Sequence, residues 1–230
     1  MAGSSLFSNL ARGAKLLALL LFLLPWVAVS CSPRGAVEVA GNEARGVPPA
    51  IASARDCTMI TASGLQLAMG SGQASRDCAE VLSTAAGMPI PEDERADNDN
   101  HPFNDPNIAV IAGAVLILLS LIASFLLKGA MAGMAAAGGS LLAACALVYA
   151  VIIQAPAEVR NQILSSGGGM GGQNMPGLGG GAPTATQIDK MIHTSPAIGF
   201  WLVLVALLAA IALNVMASRK PGAEAPPAAV

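Results

Sequence analysis

Hydrophobic positions in this chain come in long unbroken runs rather than in helical or strand-like alternation. Residues 108–127 carry no charge, residues 129–153 carry none, and only Lys128 separates the two runs. At about 1.5 Å rise per residue, each can cross a hydrocarbon core of about 30 Å. The pattern predicts a transmembrane helical hairpin over 107–153 with a tight turn at Lys128. A third run, 196–217, predicts a last transmembrane helix. A shorter one, 16–31, is apolar except at its end and is interrupted by Pro25 and Trp26. The expected fold is therefore an all-α integral membrane protein with four transmembrane helices. Its other parts are a short N-terminus (1–15), a long loop (32–106), a glycine-rich loop (154–195) and a tail (218–230).

Three readings of the first run stand side by side. As an uncleaved span it has Arg12 and Lys15 on one side and Trp26 near the opposite interface. As a cleaved secretory signal it has a basic start and small residues at Ala28-Val29-Ser30. As a lipid anchor it would use Cys31, although Ala28 stands where a larger aliphatic is usual. Each reading makes 32–106 extracytoplasmic.

Charge supports one topology. Arg12, Lys15, Lys128, Arg219 and Lys220 fall on one side of a four-span arrangement, while 32–106 holds eleven acids and five arginines. Lysine and arginine close to spans favour the cytoplasmic side. Both termini are thus expected in the cytoplasm of a bacterial inner membrane. Neither hairpin helix contains an ionisable residue, so no proton relay or ion path is marked there. The long loop has β-compatible pieces at 36–40 and 58–61, the second leading through Gly64 into Leu65-Gln66-Leu67-Ala68, which predicts a small sheet or cap. In the second loop, 158–164 reads as a turn or two of surface helix. Asn214, near the inner end of the last run, is expected to be solvated or bonded between helices.

Composition narrows the function classes. The chain of 230 residues is 54% hydrophobic and 11% charged, with net charge −2. Its mean hydropathy is +0.62. Soluble domains carry roughly 25% charge. No basic patch points to nucleic acid.

Four cysteines stand at 31, 57, 78 and 145. In an oxidising compartment Cys57–Cys78 is a plausible disulfide, with Cys31–Cys57 as rival pairing. Cys145 reads as a small apolar packing residue. None of the four has zinc-ligand spacing. The acidic run Asp97-Asn98-Asp99-Asn100-His101 lacks the glycine and glutamate of a calcium-binding EF-hand loop, since Pro102 and Ile108 occupy those places. Met170, Met175, Met191 and His193 bring a Cu(I) site to mind, but methionines in a glycine tract are weak grounds for one. With only His101 and His193 available and no paired nucleophile, no catalytic residue, metal or cofactor is assigned.

Small residues recur through the hairpin. Gly129, Gly133 and Ala137 form one row, and Ala132, Ala136, Ser140 and Ala144 another. Such rows let helix backbones approach closely in lipid, within one chain or between copies. Ala109, Gly113, Ser120 and Ser124 offer small surfaces on the partner helix.

Three motifs carry a resemblance. Leu24-Pro25-Trp26-Val27-Ala28-Val29-Ser30-Cys31, Ser63-Gly64-Leu65-Gln66-Leu67-Ala68 and Gly199-Phe200-Trp201-Leu202 resemble a group of uncharacterised bacterial four-span membrane proteins. There too the first helix ends in a Pro-Trp-x-x-x-Ser-Cys stretch. The resemblance implies an uncleaved first span and an architecture, not an activity. The layout also looks loosely like the claudin-type tetraspan, without its signature, and fold analogy does not confer function. The expected role is non-enzymatic, structural or accessory, in the bacterial envelope. Expected partners are the lipid bilayer and a membrane protein or second copy. A transporter or channel subunit is the alternative.

Overall fold

A computed structural model describes residues 2–40, 53–75, 77–78, 80–81, 105–126, 130–165 and 184–218. Lys128, Gly129, the acidic run with His101, the glycine tract with Met170 and Met175, and the tail with Arg219 and Lys220 lie outside them. Four helical stretches are long and apolar enough to cross a membrane: Leu6–Leu23, Ile108–Leu126, Gly133–Leu164 and Ile198–Ser218. Large apolar side chains such as Leu118, Leu141, Leu142, Val205 and Leu208 stay exposed on them, surfaces of the kind that lipid can cover.

In chain order the helix α1 (Ala2–Leu20) tightens into a 3₁₀ turn (Leu21–Leu23) and gives way to strand β1 (Pro25–Cys31). Next come α2 (Pro33–Ala40), β2 (Cys57–Ser63), α3 (Gly64–Met69) and a two-residue β3 (Gln73–Ala74). The hairpin helices are α4 (Ile108–Leu126) and α5 (Ala130–Val148). A π-helical turn (Tyr149–Gln154) carries α5 into α6 (Ala155–Ser165), and α7 (Ala185–Met191), β4 (Ile192–Pro196) and α8 (Ile198–Ser218) follow.

Several expectations change. The first helix is not 16–31: it begins at Ala2, and residues 25–31 are a strand. Pro25 supplies no N–H to a helix and disfavours helical geometry at Leu24, and the β-branched and aromatic residues beyond it suit a strand. Residues 36–40 are helical, not extended. Ser32 caps α2, its hydroxyl accepting from Gly35 N–H at 3.4 Å, and Pro33 stands at the first helical position, where its missing N–H costs nothing. Nor does the second hairpin helix end near Gln154. Pro156 withholds the N–H that Ile152 would otherwise receive, and the π turn absorbs the defect, with Ala155 N–H bonding Ala150. Residues 158–164 are thus part of one long helix rather than a separate surface turn.

The chain divides into two compact units. One comprises residues up to 21, 111–147 and those from 202 on; the other comprises 22–110 and 148–201.

In the first unit α4 packs on α1 and on α5, and α5 packs on α8. A Cβ on Gly139 would stand 2.9 Å from that of Ser120, and one on Gly133 3.0 Å from that of Ser218. Gly113 makes room for Leu147.

The second unit is built on an antiparallel four-stranded sheet of order β3-β2-β1-β4. β1 is a central strand, pairing with β2 on one side and β4 on the other. The sheet therefore gathers the residues just after the first apolar helix, those of the long loop, and those just before the last helix. The β piece expected at 58–61 lies in β2, whereas β4 in the second loop was not foreseen.

Candidate functional site

The three sequence motifs meet at one side chain. Trp26 is fully buried, with Phe22 at 4.3 Å and Phe200 edge-on at 6.3 Å between ring centroids. Gly64 lies against the indole, where a Cβ would stand 2.7 Å from the ring, and at Gly199 it would stand 3.1 Å from it. The indole fills the core of the second unit rather than lying on its surface. Trp201 is half exposed, while its neighbour Phe200 is buried. The Ser63-Gly64-Leu65-Gln66 motif also has a local job. Ser63 Oγ accepts from Gln66 N–H at 3.2 Å and Gln66 Oε1 accepts from Ser63 N–H at 2.9 Å, a capping box that starts α3. Gly70 ends it with φ +69°, a conformation that favours glycine.

The disulfide is Cys57–Cys78, with Cα atoms 4.8 Å apart; Cys31 and Cys145 are free. The staple is reinforced at both ends. Asp77 accepts from Thr58 N–H at 2.9 Å and from Arg55 Nη2 at 2.6 Å. The Thr58 N–H, and then the Arg55 charge, hold the Asp77 carboxyl below its usual value of 3.8, against an opposing effect of burial. A carboxyl depressed by folding adds stability at pH values above its unfolded pKa and loses it as pH falls through the folded one. The melting temperature is thus expected to fall below about pH 4. Asp77→Asn should lower it at neutral pH and flatten that acid limb. Thermal melts across the pH range, wild type against variant, check this.

Cys145 is exposed on α5, so it does not pack in the bundle as expected. Two positions from Ala143 and Leu147, it points away from the face those residues bury.

The first unit holds a polar cluster that hydropathy does not reveal. Arg12 and Lys15 lie inside the apolar stretch Leu6–Leu23 rather than in the short N-terminus expected before the first span. Lys15 is completely buried and donates to the Ser120 carbonyl at 3.1 Å. Ser120 and Ser140 hydroxyls lie 3.2 Å apart and both reach the Ala136 carbonyl, at 3.0 and 2.9 Å. Arg12 donates to the Ser124 carbonyl and lies 4.4 Å over the Phe125 ring. No acid pairs with either cation among the described salt bridges, so backbone carbonyls and a ring face take that part.

Replacing a buried charge by an apolar isostere is often neutral or stabilising, by up to about 4 kcal/mol, whereas an opposed charge is costly. Lys15→Met is expected to leave the melting temperature in detergent unchanged or raised. Lys15→Glu, setting a carboxylate against the Ser120 carbonyl, is expected to prevent folding. Fluorimetric melts distinguish the two.

Of the expected packing residues, Ala136, Ser140 and Ala144 are buried. Gly133 faces Asn214 and Ser218, and Ala137 is half-buried. Ala132 belongs to α5, and Gly129 lies outside the described residues. Gly139, off both four-residue rows, makes the close approach to Ser120; its spacing of three from Ala136 and four from Ala143 was the available signal. Asn214 is buried and its side-chain Nδ2 has no hydrogen-bond partner among the described residues, against the expectation of solvation or a helix–helix bond.

The second unit also carries an open cleft of about 260 Å³ where Arg160, Asp189, His193 and Thr194 meet over Val159 and Ile188. Arg160 and Asp189 approach to 3.8 Å. Met191 is buried and does not line this cleft with His193. Among the described residues no three His, Cys, Asp or Glu side chains are grouped to hold a metal.

No protein-family model, curated protein or solved structure matches the chain.

Proposed function

We propose that the protein is a non-enzymatic integral membrane protein of a bacterial envelope, acting in a structural or accessory role through helix packing and a disulfide-stapled extracytoplasmic head. The observation that carries this reading is the head itself. Strands from three separated regions pair in one sheet, the chain ends that flank it pack on Trp26, and Cys57–Cys78 staples the long-loop part to β2. A disulfide belongs in an oxidising compartment, which favours the periplasmic side for the sheet. Lys128, Arg219 and Lys220 then fall in the cytoplasm with both termini. The head presents a recognition surface to a membrane-protein partner or a second copy, and the exposed apolar helix faces meet lipid.

Residues 1–30 stay in the mature chain on this reading. Processing after Ser30 would remove most of β1, to which both β2 and β4 are bonded.

The test is complementation of a deletion strain with a chain in which a flexible linker replaces 32–106. Loss of both co-isolated partners and envelope phenotype is expected; retention of both would sink the proposal.

The buried Lys15 cluster favours a second reading, a transporter or channel subunit, because ionisable side chains inside membrane helices mark ion and substrate paths. Flux into liposomes holding this protein alone, abolished by Lys15→Met without loss of fold, would select it.

A further inference from the structure

Cys57 has two cysteine neighbours, not one. Cys78 is its disulfide partner, with the Cα atoms 4.8 Å apart. Cys31 is its direct partner in the β1–β2 register. Opposed residues of an antiparallel pair put their side chains on the same face, with Cα atoms about 4.5–5.5 Å apart. Disulfides span Cα separations of about 4.4–6.8 Å, so either cysteine can bond Cys57.

We propose that Cys31, Cys57 and Cys78 form a thiol–disulfide exchange site, in which Cys31 displaces Cys78 from Cys57 and leaves Cys78 as the free thiol. The step balances without an added oxidant. Cys31 loses its proton to water, and its sulfur attacks the Cys57 sulfur. The Cys31–Cys57 bond forms as Cys57–Cys78 breaks, and the electron pair leaves with the Cys78 sulfur, which takes up a proton. Thiolate attack through such an intermediate is the general route of disulfide isomerisation.

Burial makes the internal thiol the favoured attacker. Cys57 is 1% and Cys78 8% exposed, which shields the bond from thiols in solution. Cys31 already lies beside it, half-buried. Its burial, followed by the nearby Asp56 carboxylate, pushes the thiol above its usual pKa, which keeps the exchange slow. The alternative bonds close loops of similar length, so chain entropy favours neither strongly. They differ in what they tether: Cys57–Cys78 fastens the segment around Asp77 to β2, while Cys31–Cys57 fastens β1 to β2 and releases that segment.

The test uses full-length protein in detergent with Cys145→Ala removing the unrelated thiol. It is incubated without reductant, quenched with N-ethylmaleimide and mapped as unreduced peptides. Two populations are expected: Cys57–Cys78 with Cys31 labelled, and Cys31–Cys57 with Cys78 labelled. Adding Cys31→Ser should abolish labelling of Cys78. Label confined to Cys31 at every incubation time, or label on Cys78 that survives Cys31→Ser, would overturn the proposal. In Cys78→Ala, oxidised glutathione should produce the Cys31–Cys57 bond. Separate glutathione adducts on the two cysteines would count against it.

Discussion

Trp26→Ala is expected to be the most damaging single substitution in the second unit, costing about 3–5 kcal/mol, the range for truncating a large buried aromatic. The indole is fully buried, packs on two rings, and is the surface against which Gly64 and Gly199 come close. Removing it leaves a void between the chain entering the sheet, the start of α3 and the start of α8. The glycines that admit the ring cannot fill that void. Trp26→Phe should cost less, and Gly64→Ala should cause part of the same loss by pressing a methyl into the indole. Trp201→Ala is the contrast: its ring is half exposed, so its loss should be within about 1 kcal/mol, as is usual away from buried features. Chemical-denaturation midpoints in detergent, followed by circular dichroism, rank these variants. Equal effects of Trp26→Ala and Trp201→Ala would contradict the packing described.

Cys57→Ala is expected to have the next largest effect in that unit, about 3 kcal/mol in the chain-entropy model for a separation of 21 residues. Cys57 is also the better choice for this measurement, because its removal prevents pairing with either Cys78 or Cys31. Wild type treated with a strong reductant should approach the variant's midpoint. A wild-type midpoint indifferent to reductant would mean that the staple carries no stability. The Asp77 contacts would then hold the junction alone.

The parts of the fold set by bulk hydropathy were legible in the sequence. The described parts of the uncharged runs at 108–127, 129–153 and 196–217 lie in long helices, the form that satisfies backbone groups within an apolar segment itself. The first run was harder. An apolar stretch of seven residues reads equally as helix or buried strand, and Pro25 was the one local mark of the change. β4 gave no comparable mark, since Ile192-His193-Thr194-Ser195 becomes a strand only through its pairing with β1, a partner far away in sequence. An oxidising compartment made a Cys57–Cys78 bond plausible, but the spacing could not choose it over Cys31–Cys57; only the coordinates show Cys57 bonded to Cys78. The convergence of three motifs on Trp26 was not legible at all, because proximity of Gly64 and Gly199 depends on the whole sheet. Lys15 shows another limit. Arg12 and Lys15 look like flanking charges until the helix is seen to begin at Ala2, which carries both inside the apolar stretch. The side chain could have reached toward water, and only the packed helix shows it turned onto the Ser120 carbonyl.

Intact-mass analysis of the purified protein, labelled with a maleimide before and after reduction, tests the central claim most directly. The account predicts a mass that includes residues 1–30, with two cysteines labelled before reduction and four after it. A mass beginning at Cys31, or four labels without reductant, would contradict it. The first result would remove most of the central strand from the sheet, and the second would remove the staple that fastens the segment around Asp77 to β2.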